Sequence, residues 1–215
     1  MLFKPFAIFA TFALSAISTL AAPAVDTEPA TLVKKATPKS LSQIFADATT
    51  SLTPLTQQLQ GLGAKDMTMA KVNPIVNNIK TVLNGVVSDV QSLSGQPSTV
   101  ILANHGVTPN VGQNAIVSVG AIAPIIAKLI RLVLTALAAV RGILFLNPIL
   151  AAFEIQALLI EVGQLLGTVL FTVTSVLGFL LPGLGLLLGG LLGDLGFIIG
   201  ELGLGLLGGI LGILL

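Results

Sequence analysis

The chain contains no cysteine, no tryptophan and no tyrosine, and only one histidine, His105. Without cysteine there are no disulfides, no thiolate nucleophile and no cysteine-based zinc site. Charge is scarce as well. Of the 215 residues 9% are charged and 54% hydrophobic, with a mean hydropathy of +1.01, whereas soluble domains carry about 25% charge. A net charge of +1 supplies no basic field, so nucleic acid is not an expected partner. Little remains from which to build an active site. The sequence points to no enzyme, no catalytic residue, no metal and no cofactor.

What is present begins with a processing region. Residues 1–22 have a basic start at Lys4, an apolar run over 6–14 and a small-residue end. This is the layout of a cleavable secretory signal; the run is short for a membrane span, which needs about 20 residues, and a signal anchor is the alternative. Residues 23–35 are polar and proline-bearing and end in Lys34-Lys35. That pair reads as a propeptide site for a kexin-type processing protease, or as two solvated lysines in a linker. Cleavage there would leave seven basic and seven acidic residues, a neutral chain that favours association. Extracellular or cell-wall localisation follows from this reading. A secreted chain without disulfides must take its stability from apolar burial.

The fold class expected is all-α. An amphipathic helical hairpin over 40–93 is followed by a hydrophobic, Gly/Leu-rich helical bundle or hairpin. In the first helix Leu41, Phe45, Ala48, Leu52, Leu55, Leu59 and Leu62 recur in steps of 4 and 3, behind a capping box at Ser40 and Gln43. Pro54 predicts a kink or split near Thr53. In the second, Val72, Val76, Ile79, Leu83, Val86, Val90 and Leu93 repeat those steps, and Asn73-Pro74 reads as its start. Ile44, Ile75, Val82 and Val87 widen both stripes, which predicts a third packing surface. Residues 94–113 read as a linker loop.

Residues 114–181 are expected to form hydrophobic helices, with a new start at Asn147-Pro148. Residues 162–193 carry no charge, and 162–181 alone has spanning length. In the tail, 182–215, twelve of 34 residues are Gly and fourteen are Leu. Each glycine costs a helix about 1 kcal/mol relative to alanine, so this segment needs neighbours or an interface to hold helical shape. The alternative is low-complexity sequence with no fixed fold. Gly189, Gly193, Gly196, Gly200 and Gly203 step by 4, 3, 4, 3 and predict an apolar packing groove along one face. Glu154, Glu161, Asp194 and Glu201 lie in apolar segments where charge is expensive. They are expected to form buried ion pairs with Lys128, Arg131 and Arg141; a water-facing polar edge or a proton path are the alternatives.

The run Gly203-Leu-Gly205-Leu-Leu-Gly208 matches G-x-G-x-x-G, but a nucleotide site also needs a preceding strand and an acid about 20 residues on. Only seven residues follow. His105, between Asn104 and Gly106, has no nearby acid or nucleophile and reads as a turn residue.

In layout the chain resembles the cysteine-free, secreted hydrophobic wall proteins of basidiomycete fungi, with a polar N-terminal half and an apolar C-terminal half. Residues 40–93 are similar in style to fungal hydrophobic-surface-binding proteins. The resemblance rests on layout and composition, so no functional residue carries over. It implies a structural amphiphile that coats surfaces, aids attachment and substitutes for hydrophobins in aerial growth. The expected partners are a hydrophobic surface, wall or lipid interface, and further copies of the chain. An integral membrane protein of the secretory pathway, with two to four apolar helices, is the competing expectation.

Overall fold

Ser40 opens the first helix by accepting a hydrogen bond from the Gln43 amide at 3.3 Å, one half of the expected capping box. The computed structural model describes residues 39–103, 119–146, 152–178, 180 and 183–212. The proposed signal, Lys34-Lys35 and His105 lie outside them. Residues 37–215 form a compact unit, and all its regular elements among the described residues are helices: α1 (Leu41–Gln60), α2 (Met69–Ser92), α3 (Ser98–Ile101), α4 (Val119–Leu146), α5 (Ala152–Leu177), α6 (Leu184–Leu192), α7 (Gly196–Glu201) and α8 (Gly205–Leu211).

Both prolines in the hairpin are absorbed. Helix α1 runs unbroken through Pro54. That residue is exposed while Leu52, Thr56 and Leu59 around it are buried, so water can satisfy the carbonyl left without a donor and packing holds the helix across the gap. Helix α2 starts at Met69 behind Thr68, and not at the Asn73-Pro74 boundary. Pro74 is again exposed. Part of the expected 94–113 loop is helical: α3 buries Ile101, and Ser42 on α1 donates to the carbonyl of Ala103 at 3.0 Å.

The helices stack in three layers. Helices α1 and α2 pack on each other; α4 packs on α1 and α5 on α2; α6 then lies on α4 and α8 on α5. The third surface demanded by the widened hairpin stripes is therefore the α4/α5 pair. Phe45, Leu52, Val76, Ile79 and Leu83 are sealed against it in one apolar core.

The middle position explains the composition of α4 and α5. A helix covered on two sides needs apolar residues around most of its circumference. On α4 only a narrow stripe including Pro124, Lys128, Arg131, Thr135 and Phe145 is exposed. On α5 the exposed stripe runs through Glu154, Ala157, Glu161, Gln164, Thr168 and Phe171. The buried hydroxyls of Thr56 and Thr172 are returned to carbonyls of their own helices, so neither is an orphan donor that penalises the core.

Glycine breaks the tail into pieces. Helix α6 ends in a 3₁₀ turn over Gly193–Leu195, and Gly183 and Gly203 take positive φ before α6 and α8. Short helices set against α4 and α5 bury Leu184, Leu188, Leu192, Ile199 and Leu207. This gains apolar burial without the cost of one long glycine helix.

Candidate functional site

The two outer layers present opposite chemistry. The exposed positions of α1 include Asp47, Thr50, Ser51, Gln57 and Gln58; those of α2 include Lys71, Asn77, Asn78, Thr81 and Asn84. Every large hydrophobic that stands exposed among the described residues comes from position 145 onward. Leu186, Leu187 and Leu191 on α6 and Phe197 on α7 are exposed on the tail layer, Leu206 on α8 is partly exposed beside α5, and Leu146, Phe153 and Phe171 are exposed on α4 and α5. Leu186 is 82% exposed, Phe197 76% and Phe145, at the end of α4, 86%. Phe145 and Phe197 line one cleft of about 230 Å³ together with Gly142, Arg141 and Glu201. Exposed apolar groupings of this kind mark interaction surfaces.

Two arginines of α4 fasten this layer. Arg131 grips both carboxylate oxygens of Asp194, at 2.6 and 2.9 Å, and donates to the carbonyl of Leu191 at 2.6 Å. Arg141 pairs with the Glu201 carboxylate at 3.1 Å and with the backbone carbonyl of Glu201. Each guanidinium thus binds a carboxylate and a backbone carbonyl near the end of a short helix, where cations are favoured. A third pair, Lys80 to Glu161 at 2.6 Å, ties α2 to α5.

These pairs correct the expectation of buried charge. The side chains of Arg131 and Asp194 are 47% and 57% exposed, and the other pairs are also in contact with water. Arg131 and Glu161 sit on the narrow exposed stripes of α4 and α5, in contact with water. Glu161 turns to Lys80 on the hairpin rather than to α4. Among the described residues neither Lys128 nor Glu154 has an ion-pair partner.

The expected glycine groove is also corrected. The 3₁₀ turn at Gly193 and the reversal at Gly203 interrupt the phase, so the five glycines do not share one helix face. A side chain at Gly193 would meet open space, and Gly200 is exposed. Gly189 alone of the five makes a shown close approach: a Cβ there would run into the carbonyl oxygen of Leu211 on α8.

The close packing uses two other pairs four residues apart. Gly163 and Gly167 on α5 receive Leu204 and Leu206. Gly185 and Gly189 on α6 face the carbonyls of Ile210 and Leu211, the former at 3.1 Å from an added Cβ. Helix α8 is held between two small-xxx-small faces. Their four-residue spacing is present in the sequence beside the longer glycine run at 189–203. The exposed phenylalanines carry no sequence signal, since an apolar segment shows no periodicity that separates inside from outside.

The G-x-G-x-x-G match has no phosphate-binding geometry. Gly203 is a turn after helix α7 and Gly205 opens α8; among the described residues no strand precedes them. Set beside known protein families, curated proteins and solved structures, the chain matches none of them.

Proposed function

We propose that this chain is a secreted structural amphiphile that acts at hydrophobic surfaces or in the cell wall, in coating, attachment or aerial growth. The supporting observation is the contrast between a polar outer layer, α1/α2, and a tail layer whose exposed side chains include Leu186, Leu187, Leu191 and Phe197. Removing apolar area from water is worth about 2.5 kcal/mol per 100 Å², so a face of this kind adsorbs without a specific contact or a catalytic step. The layout-level resemblance to hydrophobic wall proteins agrees with this reading.

The second reading is a membrane protein. Three helical stretches, Gly120–Leu146 in α4, Phe153–Leu177 in α5 and Leu184–Glu201 across α6 and α7, are long and apolar enough to cross a bilayer. The middle-layer position of α4 and α5 offers a different reason for their apolarity, because protein covers them on both sides.

Fractionation separates the two. The amphiphile is expected in the medium or wall, with any membrane-associated pool released by alkaline carbonate. Recovery only in carbonate-resistant membranes would overturn it. Surface activity is best tested by substitution at the projecting side chains, because deleting 182–215 would uncover the buried faces of α4 and α5 and create a new apolar surface.

A further inference from the structure

Resting on the amphiphile reading, we infer that the tail layer, α6 to α8, is a lid that opens as one unit at a hydrophobic surface and lays bare the apolar faces of α4 and α5 beneath it.

The lid has little structure of its own. Helices α6, α7 and α8 have 9, 6 and 7 residues, and isolated helices shorter than about 12–15 residues are marginal in water. Twelve of the thirty residues in 183–212 are glycine, which weakens the helices further. The three therefore hold their shape by sitting on α4 and α5. Undocking and unwinding are one event, and such a unit opens at a smaller free energy than the whole fold. The hairpin on the other side is built differently. Helices α1 and α2 have 20 and 24 residues and contain one glycine in all, Gly85. The boundary that gives is the one between the tail and the middle layer.

What holds the lid shut is what a hydrophobic surface replaces. Leu184, Leu188, Leu192, Ile199 and Leu207 are buried, and Leu204 and Leu206 are set against Gly163 and Gly167 of α5. The two arginine fastenings, Arg131 to Asp194 and Arg141 to Glu201, are open to water, so they add little to the cost of opening. The chain enters the lid at Gly183, which holds a positive φ and has no side chain to resist rotation there. A surface shifts a conformational equilibrium only through its differential affinity for the two states. That difference is large here. The closed state hides the inner leucines of the tail, and the open state offers them to the surface together with the uncovered faces of α4 and α5.

The test is a disulfide staple in the full chain, which has no cysteine of its own. The Cγ of Leu204 lies 3.0 Å from where a Cβ on Gly163 would stand, so the double variant Gly163→Cys/Leu204→Cys brings two sulfurs within bonding reach. Oxidised, the variant has its lid tied to α5; reduced, it carries the same substitutions with the lid free. At an air–water interface the wild type and the reduced variant are expected to raise the surface pressure in two phases, attachment and then slower spreading. The oxidised variant should keep the first phase and lose the second, and dithiothreitol should restore it. In bulk water, hydrogen exchange of the wild type should show the amides of α6 to α8 exchanging together, at least about tenfold less protected than those of α1, α2, α4 and α5.

Identical surface-pressure curves for the oxidised and reduced variant would overturn the lid and leave the amphiphile reading standing. No rise in surface pressure from any of the three would overturn the amphiphile reading, and the role of the lid with it. Tail amides as protected as those of α1 and α2 would overturn the lid alone. Failure of the two cysteines to bond under oxidation would overturn the seating of α8 on α5, on which the lid rests.

Discussion

Gly189 and Gly190 are neighbours in α6, yet alanine should act on them with opposite signs. At Gly190 an added Cβ meets nothing. Alanine there gains helix propensity of about 0.5–1 kcal/mol, through reduced freedom of the unfolded chain. At Gly189 the same methyl is driven into the carbonyl oxygen of Leu211, a backbone atom that cannot rotate away. Overpacking of this type costs about 1–3 kcal/mol. Set against the propensity gain, the net is a loss of about 1–2 kcal/mol. For a domain of this size 1 kcal/mol moves Tm by about 2–4 °C. Thermal unfolding followed by helical circular dichroism should therefore place Gly190→Ala about 2 °C above wild type and Gly189→Ala about 3–6 °C below it. Equal shifts of the same sign would refute the packing of α6 on α8, and with it the seating of the tail layer.

Other outcomes follow from the same packing. Gly167→Val should destabilise by about 1–3 kcal/mol in urea unfolding, because an added Cβ already lies 3.2 Å from Leu206; a neutral result would detach α8 from α5. Arg131→Met should cost about 1 kcal/mol, since the bidentate pair and the Leu191 carbonyl bond are lost but the site is half exposed; a loss of several kcal/mol would mean that the pair is shielded from water. Lys80→Ala should cost less than about 1 kcal/mol and be masked by salt. The hydrogen bond and charge of Asp47 raise the Lys39 ammonium above its usual 10.5. The stabilisation from that tie at the start of α1 is fully present below the usual 10.5 and is lost as pH rises through the elevated value, so α1 stability should be flat from pH 7 to 9. A decline over that interval in a pH-jump dichroism series would contradict the assignment.

The hairpin was legible because its two stripes have a period and its faces differ in polarity. Ile44, Ile75, Val82 and Val87 even announced that another layer was required. The middle layer was legible as helix but not as layer, since residues 162–181 read equally as a bilayer span and as a helix covered twice by protein. Pro54 and Pro74 misled at the helix boundaries, because a proline on a solvent-facing side breaks one hydrogen bond while tertiary contacts keep the helix together. Charged residues in apolar segments are legible as ion-pair partners, and Arg131 and Arg141 do reach Asp194 and Glu201, but in contact with water. Gly193, Gly196, Gly200 and Gly203 kept a helical phase in sequence that the chain abandons at the 3₁₀ turn, a choice that local glycine flexibility permits and periodicity cannot register.

The absence of cysteine makes the central claim directly measurable. Single cysteines introduced as Gln58→Cys on the polar layer and Leu186→Cys on the tail layer can each carry one environment-sensitive fluorophore. On adsorption to a hydrophobic bead or vesicle, the label at 186 should shift to the blue and become protected from iodide, while the label at 58 stays fully quenchable. Protection at 58, or an unchanged label at 186 on protein that has demonstrably bound, would contradict an amphiphile that works through the outer face of its tail.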